Sequence, residues 1–360
     1  MPIDEVLISS YAGTACAAGR ERGMLVALAL DVDDLRVCDV FLGRVSRRVP
    51  AMGGAFVDIG QRRSGLLMAA DAADGRLPSD GETVVVQVLR VAEGDKGPKL
   101  TGKLTGKLTE EIPGNFNARL ADTTLGDLAS VLASGPIPRR LARGPDAIEA
   151  LLQHADAGGA LRSIVVDDPA RLVRLRATWP ALASRLQPWR GQASLFEAEG
   201  VSEAIEAALS PRVPLPGGGK LIIEETAAVV AIDVDLGSEA GSSAKAAALA
   251  CNQHAAAAIG REVRLRDLAG RIVIDFIPVR RPAERAKILA ALQAVLDDGE
   301  RALKIGGWTR TGLVELTREK RGPSLASRLL GVCPACAGCG RVHAPQQPTD
   351  PLLPMSGEQR

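Results

Sequence analysis

From Val40 onward the chain changes texture. VFLGRVSRRV, GAFVDIG, SGLLMA and TVVVQVLRVA are short apolar runs divided by Gly, Pro, Asp and Ser. Runs of this length, recurring about every 8–12 residues, specify strands of a small all-β barrel or sandwich. This stretch ends near Thr105. On either side the pattern is different. Residues 3–9 and 24–31 read as two strands with a Gly/Ala turn between them. From residue 144 strand and helix alternate: GPDAIEALLQHADAG as helix, RSIVVDD as strand, PARLVRLRATWPALASRL as helix with Asp168 as its cap, and SLFEAEGVSEAIEAALS as another helix. Such alternation makes an α/β layer. The fold expected is therefore a multidomain α/β protein with a β module set into it. At roughly 150 residues per domain, 360 residues leave room for two or three domains.

The last third continues the alternation. GGKLIIEETAAVVAIDVD holds two strands joined by EETA, SSAKAAALACNQHAAAAIGREVRLRD is a long Ala-rich helix, and GRIVIDFIPV is a buried strand. PAERAKILAALQAVLDDG is a helix with Ile288, Leu289, Leu292 and Leu296 as its apolar residues, and GLVELTREKR is a strand running into a basic end. The Pro-rich polar tail after His343 reads as disordered. No uncharged apolar run is long enough to cross a membrane. MPIDEVLISS places two acids where a signal peptide needs a basic flank, so a cytoplasmic protein is expected.

The chemistry concentrates on aspartates. Asp233 and Asp235 end the apolar strand AVVAIDVD, and Asp275 falls in RIVIDFI. A carboxylate in an apolar strand is costly unless something satisfies it. In open α/β sheets ligands gather where strands end. Two such aspartates on neighbouring strands form a hard-oxygen pocket suited to Mg²⁺ or Mn²⁺. The competing reading is structural, with each aspartate a helix cap or a salt-bridge partner. Basic residues crowd the same region, including Arg264, Arg266, Arg271, Arg280, Arg281, Arg310 and Arg318. Overall, 44 basic and 43 acidic residues give +1, which excludes a blanket polycation but allows a local basic groove. Carboxylates holding a metal inside a ring of arginines are what phosphodiester chemistry requires.

Of six cysteines, Cys16, Cys38 and Cys251 are isolated, whereas Cys333, Cys336 and Cys339 lie in CPACAGCG. That is a metal-site spacing and no disulfide framework. Tetrahedral zinc takes four ligands. One zinc could be closed within the chain by Cys333, Cys336, Cys339 and His343, or two chains could each supply Cys333 and Cys336. A redox dithiol is the third possibility. In the β module, Phe56 lies in GAFVDIG and Lys96 in the loop EGDKGPK. OB-type barrels stack bases on aromatics and track phosphates with lysine, although a lone Phe on a strand is more often core.

Taken together, GRVSRR, GAFVDIG, SGLL and GDKGPKLT, followed by AIDVD, REVRLRDLAGRIVIDFIPV, TRTGLVELTREK and CPACAGCG, resemble the ribonuclease E/G family in order and spacing over 1–110 and about 135–342. The resemblance implies a ribonuclease H-like subdomain split across 1–38 and 135–208, an OB-fold RNA-binding barrel inserted at 39–110, and a short connector at 111–134. A deoxyribonuclease-I-like catalytic subdomain would follow at 209–330, then a zinc link at 331–342 and a tail at 343–360. It implies an Mg²⁺-dependent endoribonuclease acting on single-stranded RNA and leaving 5′-phosphate products. Asp233 and Asp275 would be the metal ligands, with Asp235 orienting a ligand or water. Phe56 and Lys96 would hold RNA, with Arg310 on the phosphate track. Cys333 and Cys336 would bind Zn²⁺ between two protomers, with Cys339 a further candidate ligand.

The departures from the family pattern are specific. Asp235 stands where the family usually has Asn, and Leu66 where the barrel pocket usually has a second aromatic. Only about 25 residues, 110–134, replace the segment that senses an RNA 5′-monophosphate, and Ala302 replaces an arginine of that sensor. Cleavage indifferent to the RNA 5′ end follows as an expectation. The small tetramerising domain is also missing from the pattern, so a homodimer is expected, and a degradosome scaffold is not. An RNA-binding protein of the same fold with little or no nuclease activity is the alternative.

Overall fold

The computed structural model describes residues 2–31, 34–93, 96–104, 135–237, 244–296, 303–336, 338 and 340. It divides into two units, Met1–Arg328 and Leu329–Arg360. The connector at 111–134, Ala302, Cys339, His343 and the tail lie outside the described residues.

Unit one begins with a meander of β1 (Glu5–Tyr11), β2 (Thr14–Glu21) and β3 (Met24–Leu30). Its two hairpins are closed by Ala12–Gly13 and Arg22–Gly23, all four residues at positive φ. Two-residue loops of this kind match the twist of the flanking strands. Here the structure corrects the sequence expectation: TACAAGRE is a strand and not a turn. Ala and Gly have little strand preference. The segment is nonetheless paired on both edges, with Cys16, Ala17 and Ala18 fully buried.

Next come β4 (Val40–Val49), β5 (Gly54–Asp58), β6 (Gly65–Met68), β7 (Thr83–Arg90), β8 (Lys99–Thr101) and, after the undescribed segment, β9 (Arg139–Ala142). The first half of β4 pairs with β7 and its second half with β5. β5 continues to β6, β6 to β8, and β8 back to β7. The ring therefore closes into a five-stranded, OB-like barrel, filled by Phe41, Val45, Val57, Leu67, Val86, Val88 and Leu100. β9 adds to β4 from outside the ring.

The chain then forms α1 (Ala147–Ala157), β10 (Ser163–Val166), α2 (Pro169–Thr178), β11 (Leu186–Pro188), α3 (Leu195–Ala198) and α4 (Val201–Leu209). α1 starts in a capping box in which Asp146 and Glu149 exchange bonds, and Asp168 caps α2 as expected. Two helices are shorter than their sequences imply. α2 stops before Pro180, so Leu186 opens a strand instead of ending a helix. The helix expected over SLFEAEGVSEAIEAALS breaks at Gly200, whose φ of 66° leaves the right-handed region. β10 and β11 join β1 in parallel, giving one sheet in the order β11-β10-β1-β2-β3.

The third sheet carries β12 (Arg212–Pro214), β13 (Lys220–Glu225), β14 (Val230–Asp235), α5 (Ala244–Leu265), β15 (Gly270–Asp275), α6 (Pro282–Leu296), β16 (Leu303–Trp308) and β17 (Val314–Arg318), followed by α7 (Leu325–Leu329). Its order is β12-β13-β14-β15-β17-β16, with β14 and β15 parallel across the α5 connection. Alternation puts Ile232, Val234, Ile272, Ile274, Val314 and Leu316 into one core with Ile259 and Val263 of α5 and Ile288 and Leu292 of α6. The opposite face of the sheet bears the polar residues. No helix among the described residues is long and apolar enough to cross a membrane.

Candidate active site and nucleic-acid interface

Because β14 and β15 run parallel in register, Asp233 and Asp275 are direct neighbours. Their strand partners Ile232, Val234 and Ile274 point into the core, so both carboxylates point away from it, and both residues are exposed. The pKa of Asp233 is raised, first by the partial desolvation its carboxyl still suffers, then by the charge of Asp275 and then by that of Asp235. The Val234 N–H and Lys220 pull the other way. No cation pairs with either Asp233 or Asp275 at salt-bridge distance among the described residues.

Asp235 differs from its neighbours. One carboxylate oxygen accepts the Gly237 N–H at 2.9 Å and the other pairs with Lys220 Nζ at 2.9 Å. These contacts lower its pKa, the Gly237 bond most. The structure thus gathers all three aspartates but ties the third to a lysine.

The backbone beyond Asp275 is fixed from two sides. Asn252, fully buried on α5, donates from Nδ2 to Ile277 O at 2.9 Å and accepts the Ile277 N–H on Oδ1 at 3.0 Å. Arg285 donates to Val279 O at 3.0 Å while its guanidinium lies 4.9 Å from the Trp308 ring centre. Sequence reasoning missed Asn252. The available signal was an amide between Ala248 and Ala256 on the buried stripe of an Ala-rich helix. Arg310 is exposed at the β16–β17 turn, which Val314, paired with Ile274, places at the same end of the sheet as Asp275.

On the barrel, Ala55 and Val57 face inward and Phe56 faces outward, half-buried. The core reading of Phe56 is therefore replaced by a surface one. Across the strands Phe56 stands beside Arg47 and Leu66, and Leu66 beside Lys99. The Arg47 guanidinium lies 5.7 Å from the ring centre of Phe56, and Lys99 pairs with Asp71 at 2.9 Å. A half-buried, outward-facing ring beside a guanidinium is a surface on which a nucleobase can stack. Arg47 and Lys99 were not singled out from sequence. Lys96 is exposed at a tight hairpin closed by two backbone bonds with Glu93.

The structure does not bring Lys96 to the aspartates. Glu93 pairs with Lys320 at 2.8 Å and Val91 N–H bonds to Arg321 O at 3.2 Å. Both contacts lie past Arg318, which pairs with Gly270 at the end of the sheet opposite Asp275.

In the second unit, Cys333 is exposed, Cys336 is half-buried, and neither forms a disulfide. Among the described residues no group of three His, Cys, Asp or Glu side chains gathers as a metal site. Two facing carboxylates nevertheless fit Mg²⁺, which keeps several waters and needs only one or two protein carboxylates. Two thiolates alone are half of a tetrahedral zinc set.

The chain is similar to known proteins over most of its length. The model of the ribonuclease E/G family matches residues 126–321, more than half of the chain. Ribonuclease G of Haemophilus influenzae is 28% identical over 89% of this chain and 80% of its own length. Ribonuclease E of Nostoc is 30% identical over 89% of this chain but only 56% of its own length. For ribonuclease E of Escherichia coli the identity is 29%, over 85% of this chain and 35% of the relative. The chain thus spans most of a ribonuclease G and about half or less of these ribonucleases E. It belongs to the ribonuclease E/G family.

Proposed function

We propose that this endoribonuclease cuts single-stranded RNA by Mg²⁺-dependent hydrolysis, leaving 5′-phosphate ends, in RNA processing or decay. The observation that carries the reading is the in-register pair Asp233 and Asp275 on parallel strands. Mg²⁺ bound there would polarise the scissile phosphate and lower the pKa of a water. Water oxygen bonds to phosphorus, the P–O3′ bond breaks, and the upstream fragment leaves with a 3′-hydroxyl. Asp233 and Asp275 hold the cation that their mutual repulsion calls for. Asp235, drawn toward Lys220, keeps that lysine beside the site. Phe56 stacks a base, while Lys96 and Arg310 follow phosphates. This reading divides the chain into the ribonuclease H-like, barrel, deoxyribonuclease-I-like and zinc-link parts with the boundaries given above.

The test is a fluorescent A/U-rich RNA incubated with and without Mg²⁺, with products captured by 5′-phosphate-dependent ligation. Cutting should require Mg²⁺ and yield ligatable ends, and Phe56→Ala should raise KM more than it lowers kcat. Tight binding without cutting would instead make the chain an RNA-binding relative.

Zn²⁺ held by Cys333 and Cys336 of two chains would make a homodimer. Native mass should then show a dimer that a chelator, or Cys333→Ser with Cys336→Ser, converts to monomer. A dimer indifferent to both rules out the zinc staple.

A further inference from the structure

Asp235 follows Asp233 by two residues on β14, so strand alternation puts both on one face of the sheet, their Cα atoms roughly 7 Å apart. With Asp275 beside Asp233, three acids share one strand end. Yet no three of them gather as a metal site among the described residues.

The reason lies one strand away. Lys220 opens β13 directly across the ladder from Asp235, and its Nζ pairs with Asp235 Oδ2 at 2.9 Å. The other oxygen, Oδ1, accepts the Gly237 N–H at 2.9 Å. The backbone fixes that turn: Gly237 has a φ of 72°, and a side chain there would strike the Gly218 carbonyl. Both oxygens of Asp235 are therefore engaged, whereas Asp233 and Asp275 have no cation at salt-bridge distance among the described residues. Lys220 cancels the charge of Asp235 and leaves that of Asp233 and Asp275 for a divalent cation to balance. Mg²⁺ gives up its waters reluctantly and needs few carboxylates, whereas Ca²⁺ takes more oxygen ligands. A third carboxylate turned toward the cation would therefore favour Ca²⁺.

We propose that Lys220 is a positioning residue that sets the cation preference of this site. It withholds Asp235, so that Asp233 and Asp275 alone hold the cation and Mg²⁺ is favoured over Ca²⁺. The inference rests on the Mg²⁺ reading of those two aspartates, so its test measures cation binding without RNA or cleavage. The full chain is titrated with Mn²⁺, followed by loss of the free-ion electron paramagnetic resonance signal, with Mg²⁺ or Ca²⁺ as competitor. The parent should hold a Mn²⁺ ion that Asp275→Asn protein does not. Lys220→Met should bind Mn²⁺ about tenfold tighter, the low end of what partners of metal ligands contribute. Ca²⁺ should gain more than Mg²⁺ as competitor. Adding Asp235→Asn to Lys220→Met should return affinity and preference to those of the parent. Exposed ion pairs hold little stability, so these variants should melt cooperatively, as the parent does. A pair serving the fold alone would leave cation affinity unchanged, and damage to the fold would not tighten it. The proposal is overturned by folded Lys220→Met protein binding Mn²⁺ no tighter than the parent, by equal gains for Mg²⁺ and Ca²⁺, or by a double variant that stays tight. A parent that binds Mn²⁺ no better than Asp275→Asn sinks the two-aspartate metal reading itself, and this inference with it.

Discussion

In the N-terminal sheet the parallel pair β1–β10 ends with Ser9 beside Asp167, and in the C-terminal sheet the parallel pair β14–β15 ends with Asp233 beside Asp275. The topology is the same and the chemistry is opposite. Ser9, buried, donates its hydroxyl to Asp167, and the next residue, Asp168, caps α2 by accepting the Ala170 N–H at 2.8 Å. Every acid at that strand end has a partner within the fold. In the second pair each acid's neighbour is another acid, and burial first, then that repulsion, raises the pKa of Asp233. An aspartate at the end of a parallel strand is thus structural when its ladder neighbour donates. It is a ligand in waiting when its neighbour repels.

The largest effect expected from this contrast is at Asp275. Asp275→Asn should lower the cleavage rate by roughly 10²–10³-fold, the size of loss seen when one preorganised contact that stabilises a transition state is removed. It should not destabilise the metal-free protein, because it removes a repulsion. The carboxyl of Asp233 should also titrate lower, since one cause of its upward shift is gone while burial remains. Initial rates and an NMR titration of Asp233 check both parts. An active variant with Asp233 unmoved would break the comparison.

That pair was legible in the sequence because both aspartates interrupt strands that are otherwise apolar, and periodicity places such residues without any tertiary information. The barrel was legible for the same reason. What periodicity could not show was pairing. Ala and Gly in β2 gave no strand signal until neighbours on both edges supplied one. Pattern alone favoured the core for Phe56 and only the family resemblance put it on RNA, whereas its outward face follows from the closed ring of strands. Lys220 and Asn252 stayed hidden because each acts on a residue 15 or 25 positions away in the chain, Asp235 and Ile277 respectively.

Asn252 sharpens the comparison at the next magnitude. In the C-terminal sheet Asp233 and Asp275 have no cation at salt-bridge distance among the described residues, so the backbone around them must be held by other groups. Asn252→Ala would strand the Ile277 N–H and carbonyl next to a buried helix. The cost is about 1–3 kcal/mol for the unmet groups. Loss of a positioning contact should also lower kcat by roughly ten- to a hundredfold, as for residues that orient metal ligands. Urea unfolding and steady-state kinetics read the two separately. Lost stability with unchanged kcat would make Asn252 a fold residue only.

The smallest effect is at Ser9, and its sign matters more than its size. Ser9→Ala removes the donor to Asp167 and should cost about 1 kcal/mol in urea unfolding, the usual net value of one hydrogen bond. Cleavage should not change, because nothing at that strand end meets substrate in the proposed reading. A double-mutant cycle of Ser9→Ala with Asp167→Asn should return a favourable coupling, within the about 0.5–3 kcal/mol seen for contacting pairs. The same cycle on Asp233→Asn and Asp275→Asn, in metal-free protein, should return a coupling of opposite sign. Added Mg²⁺ should reverse that second sign and leave the first alone, because only two facing acids gain from a cation between them. If both cycles gave the same sign without metal, the C-terminal pair would be satisfied within the fold as the N-terminal one is, and the case for a cation site there would fall.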